Sequence, residues 1–255
     1  DGNYQSALAA ARRAIEINEN ETNALAVLAR VLSLRVKEAP AEAARRAYDA
    51  EALPALRRLV EVNPNSWIAP KYLADIAMRR NDFDSAIQWL QQLQRLCPMD
   101  PASWRGLAGI YWERGAYDLA LPQLLELTRI EESDAKIPAE IAKIYKSRSR
   151  NRVGPTFQSV TRLREAQYWY RRALNVDPFS VEVHKALADT CMQAGDTKAA
   201  LDEYKVLTQL EPDNPKRFED AAFAAHKLGA GDQAQQFARK AVALDPSSSA
   251  RTLAE

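Results

Sequence analysis

The chain has 255 residues, 47% hydrophobic and 27% charged, a balance that supports a sizeable core and excludes a disordered or low-complexity chain. Its 35 Lys and Arg against 34 Asp and Glu leave a net charge of +1, so nothing pulls the whole molecule toward nucleic acid or a membrane, and a charged partner must be held by a local patch. Cys97 and Cys191 have no CxxC or Cys/His spacing, which excludes a disulfide framework and a zinc site and predicts two free, buried thiols, and no stretch approaches 18 consecutive apolar residues.

The predicted elements follow a phase set by short turns that close apolar helices: Asn63-Pro64, Cys97-Pro98, Asp177-Pro178, Glu211-Pro212 and Asp245-Pro246. Pro64 and Pro98 are 34 residues apart, as are Pro178 and Pro212, and Pro212 and Pro246. In chain order, residues 1–19 read as one helix closing at Glu19. Residues 20–64 form a long pair, because Glu19 lies 45 residues before Pro64. The extra stretch from Val36 to Tyr48 is rich in Ala, Glu and Arg, so both helices are expected to gain about a turn and to join near Pro40. Residues 65–98 and 99–132 are regular pairs. Residues 133–178 exceed the period again, Glu132 lying 46 residues before Pro178, and Ser147 to Ser159, with its Ser residues and Gly154-Pro155, is expected to be a basic loop. Residues 179–212 and 213–246 are regular, and 247–255 begin another helix.

Within this phase the same residue types recur. The unit from Pro101 to Glu132 carries Trp104, Leu107, Ala108, Tyr111, Gly115, Tyr117, Ala120 and Leu124. The unit ending at Pro212 carries Leu187, Ala188, Gly195, Ala200 and Tyr204, and the next carries Phe218, Ala222, Gly229, Ala234, Phe237 and Ala241. Residues 67–98 give Leu73, Ala74, Phe83, Ala86 and Leu90. The pattern resembles the tetratricopeptide repeat, W-x2-L-G-x2-Y followed by A-x3-F and a closing proline, over essentially the whole chain. The resemblance implies an all-α fold, a right-handed α-α superhelix of about six full helix-turn-helix repeats plus a half repeat. Gly2, Tyr4, Ala7 and Ala14 match a second helix whose first is missing, so the chain is expected to be a segment excised from a longer array. Ala74, Ala108, Ala188 and Ala222 are expected where a first helix crosses its own second helix closely, and Gly115, Gly195 and Gly229 at the turn between them.

Catalytic chemistry finds no support. His184 and His226 lie in different units without an HExxH arrangement, and His184 takes the place of Trp104, reading as a packed aromatic. No GxGxxG or GxxxxGK[ST] motif is present, and Gly229-Ala230-Gly231 is an inter-helix turn. Glu131-Glu132, and Asp75 with Asp82, belong to turns or solvated faces. No catalytic residue, cofactor, metal ligand or small-molecule substrate is expected.

The resemblance implies that the first helix of each repeat lines an inner groove that receives a peptide or a partner domain. Counted along each repeat, the groove positions give Lys71 and Asp75, Arg105 and Trp112, Lys143 and Lys146, and Lys185 and Asp189, with Lys216, Glu219 and His226 in the last full repeat. Trp112 is the candidate aromatic anchor, whereas Trp104 matches the family's core tryptophan. Some family members clamp a chaperone's terminal carboxylate with Lys and Asn; here Asp75 and Gly106 replace the two Asn, so that activity is not expected. From Lys143 to Arg172 nine cations, among them Arg148, Arg150 and Arg152 of the expected loop, face Glu165 alone, which suits an acidic peptide. The leading expectation is a protein-interaction scaffold. The non-catalytic arm of a larger enzyme is the alternative, RNA binding a weaker one, and the cytoplasm the favoured compartment.

Overall fold

A computed structural model describes residues 2–149 and 157–254. Among these it contains fourteen helices and no strand, in two compact units, 1–123 and 124–255. The first unit holds α1 (Gly2–Ile17), α2 (Thr22–Glu38), α3 (Glu42–Val62), α4 (Ile68–Arg79), α5 (Phe83–Leu96), α6 (Pro101–Glu113) and the start of α7 (Tyr117–Ile130). The second holds the rest of α7, α8 (Lys136–Ser149), α9 (Phe157–Val176), α10 (Val181–Ala194), α11 (Thr197–Leu210), α12 (Pro215–Lys227), α13 (Gly231–Leu244) and the short α14 (Arg251–Ala254). Within each unit the helices pack mainly on their neighbours in sequence, with α2 also reaching α4.

Local chemistry explains where the helices start. The side chains of Asp82, Asp100, Asp196 and Asn214 each accept a hydrogen bond from a first-turn amide of α5, α6, α11 and α12, satisfying a donor the helix cannot. Pro101 and Pro215 open their helices, where the absent N–H costs nothing. Pro70 and Pro138 are third in α4 and α8, still within that first turn, and both are buried.

The turns inside the pairs share one geometry. Asn81, Gly115, Gly195 and Gly229 have φ of 57°, 66°, 82° and 81°, and the following residue donates to the carbonyl five residues earlier: Asp82 to Ala77, Ala116 to Tyr111, Asp196 to Cys191, Ala230 to Ala225, at 2.8–2.9 Å. This is the left-handed helix end that glycine adopts freely and asparagine tolerates. Ala74, Ala188 and Ala222 are fully buried and Ala108 is 4% exposed, as expected for close crossings.

Three sequence expectations are modified. The helices of the first long pair run 17 and 21 residues and meet at residues 39–41, against 12–14 residues in α4 to α7. The expected loop from Ser147 to Ser159 is helical at both ends, because α8 continues through Ser149 and α9 starts at Phe157; the buried stripe of Leu163, Ala166, Tyr170 and Ala173 makes α9 20 residues long. The centre of that loop lies outside the described residues. Both cysteines are free, but Cys97 is only half-buried, whereas burial pushes the Cys191 thiol up to about 11.

Candidate partner-binding surface

In the first unit, α4 and α6 stand side by side over α5 and enclose a cavity of about 330 Å³. Its floor is apolar, from Leu90, Leu93 and Ile110, and its rim carries Lys71 and Asp75 from α4 with Arg105 and Glu113 from α6. Two glycines of α6 make the room. A Cβ at Gly109 would meet nothing within 4 Å, whereas one at Gly106 would stand 2.9 Å from Leu90 Cδ1. Lys71 is already engaged: its Nζ is 3.0 Å from Asp100 Oδ2 and 5.5 Å from the Trp67 ring centre. Burial raises the Asp75 carboxyl above its ordinary value, against the opposing pull of Arg79, Lys37 and Lys71. Trp112 is half-buried, does not line this cavity, and packs edge-on against Tyr117 at a centroid distance of 5.3 Å.

In the second unit, α8 and α10 flank a cavity of about 290 Å³ lined by Lys136, Glu140 and Lys143 on one side and Glu182, Val183 and Ala186 on the other, with Tyr170 among its walls. Lys143 Nζ lies 3.2 Å from Glu182 Oε1, so this cation is partnered within the fold. Lys146 is half-buried and is not among the lining residues. Lys185 stands between Asp189 at 3.8 Å and Asp220 at 3.7 Å. Asp189 Oδ1 also accepts from the Tyr204 hydroxyl at 2.9 Å; burial, then this carboxylate, push the Tyr204 phenol well above its usual range. Arg148 is half-buried and its carbonyl accepts from Arg162, while Arg150 and Arg152 lie outside the described residues.

Two positions of the last full repeat differ from their sequence reading. Glu219 is 8% exposed and accepts from Ser248 Oγ at 2.6 Å, Ser249 N at 2.9 Å and Lys216 Nζ at 2.9 Å, which makes it a structural anchor. Against the desolvation of burial, these donors hold its carboxyl at about 2. Phe223 is 42% exposed and was not among the predicted groove residues, although it follows Asp189 by 34 residues and so occupies the same repeat position. His184 behaves as the packed aromatic expected from its position. Its Nε2 is 2.9 Å from the Pro178 carbonyl, the counterpart of the Trp104 Nε1 bond to the Pro98 carbonyl at 2.8 Å, and its Nδ1 is 2.7 Å from Glu203 Oε2.

A family model of the tetratricopeptide repeat matches residues 50–101 and 154–215. The fold is similar to the C-terminal part of a TPR repeat-containing protein from Cytophaga hutchinsonii, with a TM-score of 0.65 at 16% identity over 99% of this chain and 95% of that one. The matched residues are tetratricopeptide repeats, and the fold is that of a tetratricopeptide solenoid. Its tetratricopeptide solenoid is also similar to YrrB, described as a TPR protein with an unusual peptide-binding site (TM-score 0.57, 14% identity, 78% of this chain and 97% of that one), and to MamA (0.54, 18%, 73% and 95%). Among curated proteins, cellulose synthase operon protein C of Pseudomonas fluorescens (strain SBW25) is 24% identical over 215 residues, 78% of this chain; the chain spans only 16% of that relative's length. Tetratricopeptide arrays serve generally as protein-interaction scaffolds, and the fold is generally non-catalytic. Among the described residues no helix is long and apolar enough to cross a membrane.

Proposed function

We propose that the array holds an extended segment of a partner protein along the faces of its first helices, with an apolar side chain of that segment entering the cavity beside α6 in the first unit. The supporting observation is the opening at Gly109: an apolar floor of Leu90, Leu93 and Ile110 lies beneath a rim of two cations and two carboxylates, a setting that takes a buried anchor and hydrogen-bonds the flanking backbone. The nine cations between Lys143 and Arg172 favour an acidic segment in the second unit. A photo-crosslinking residue at Arg105 identifies the partner, and its bound segment is then titrated against two variants. Gly109→Leu fills the cavity while improving helix propensity, so the fold is retained. It is expected to weaken binding at least tenfold, and Lys143→Glu with Lys146→Glu to weaken it further and flatten its salt dependence. Unchanged affinity in both variants places the binding surface elsewhere.

The similarity to part of cellulose synthase operon protein C favours a second reading, in which the array is the non-catalytic arm of a longer protein acting beside a polysaccharide synthase. A synthase component as the crosslinked partner is its expected outcome.

A further inference from the structure

The first unit contains a second cavity, of about 480 Å³, lined only by charged residues and one asparagine, four of them arginines. It exists because α3 is long: Glu42, Arg45, Arg46 and Asp49 share one face of its first two turns, and that face lies against Arg79, Arg80 and Asn81 at the α4–α5 turn. Regular pairs of this chain have second helices of 14 residues, against 21 in α3.

The charges do not cancel. Asp49 is 5% exposed and both its oxygens are taken by one guanidinium, Arg79 Nη2 at 2.6 Å and Nε at 3.1 Å. Glu42 receives Arg46 Nε at 3.2 Å and has Arg45 Nη1 at 4.0 Å, while Arg45 Nε is spent on the Ala39 carbonyl at 2.9 Å. Two carboxylates therefore face four guanidinium groups, leaving a formal charge of +2. Among the described residues the Arg80 guanidinium and the Asn81 side-chain amide have no hydrogen-bond or ion-pair partner, yet both line the cavity. The N-cap of α3, Ala41, offers its first-turn amides no side-chain acceptor, so that helix end, beside Glu42, also favours negative charge.

We infer that this cavity is a binding site for a phosphate-type dianion, free or carried as a monoester, held by Arg46, Arg80 and Asn81 and independent of the groove between first helices. A tetrahedral dianion neutralises the surplus and accepts from several guanidinium forks at once; a carboxylate would leave one charge uncompensated. The cavity is several times larger than a phosphate, leaving room for the group that carries it.

The test is calorimetric titration of the full chain at pH 7.5 and fixed ionic strength with four probes: inorganic phosphate, a short uncharged peptide bearing one phosphoserine, adenosine monophosphate and acetate. Phosphate and at least one monoester are expected to bind saturably at one site per chain, and acetate not to. The double variant Arg46→Gln, Arg80→Gln is expected to weaken phosphate at least tenfold. Arg57→Gln, which removes an exposed cation elsewhere on α3, is expected to change nothing, and unaltered helical circular dichroism in all three proteins keeps the comparison like for like. A monoester tighter than phosphate identifies a carried phosphoryl group; equal affinities identify the free ion. The inference is overturned if no phosphate probe saturates, if the double variant binds as the parent does, or if acetate binds as tightly as phosphate. In those cases the four arginines are a self-contained ion-pair network.

Discussion

At the scale of single residues, chemistry that resembles a binding site on paper is often already spent inside the fold. Glu219 sits at a groove position in the repeat count, yet its carboxylate is buried and ties α12 to the turn after α13 through Ser248 and Ser249. Because that carboxyl is held at about 2 when folded and titrates near 4.5 when unfolded, its contribution is complete above pH 5 and is lost as pH falls toward 2. The melting temperature of the native chain is therefore expected to fall more steeply from pH 5 to pH 2 than that of Glu219→Gln, which starts lower at neutral pH and carries no such titration. Parallel curves for the two proteins would contradict the assignment. Lys71, Lys143 and Lys185 are likewise partnered by Asp100, Glu182 and Asp220, so their charge reaches a ligand only in competition with an internal acid.

At the scale of elements, the helical hairpins are set by a turn that each repeat builds from its own residues. Four of these turns place one residue in the left-handed region, and three of the four use glycine. Gly195→Ala forces an L side chain into that region and is expected to cost about 1–2 kcal/mol in chemical denaturation. Asn81→Ala is expected to cost less, because asparagine already carries part of that strain in the native state. Equal losses at the two sites would show that the glycine is not chosen for its backbone. The same local logic makes the turns legible in the sequence: the 34-residue step from Gly195 to Gly229 is written in the chain, whereas Asn81, which follows the same rule, carries a weaker signal because asparagine is common outside such turns.

At the scale of the whole molecule, helices touch their neighbours in sequence, so damage is expected to stay near its source. Leu56 is fully buried in α3, and Leu56→Ala is expected to cost about 2–5 kcal/mol locally. Hydrogen exchange should accelerate in α2 to α4 while the amides of α10 to α13 keep their native rates; uniform acceleration would mean that the chain unfolds as one cooperative block. The sequence by itself determined the all-helical class, the period, the closing turns and the close-packed alanines, because each rests on contacts within about one turn of helix or on a stripe repeated along it. It did not show that Gly109 opens a cavity, that α8 and α9 run into the expected loop, or that Arg45 and Arg46 meet Arg79 and Arg80. The grouping of those arginines depends on distances between side chains roughly 30 to 40 residues apart, as do the pairs of Lys71 with Asp100 and Lys143 with Glu182, and such distances exist only once helix packing has fixed which faces meet.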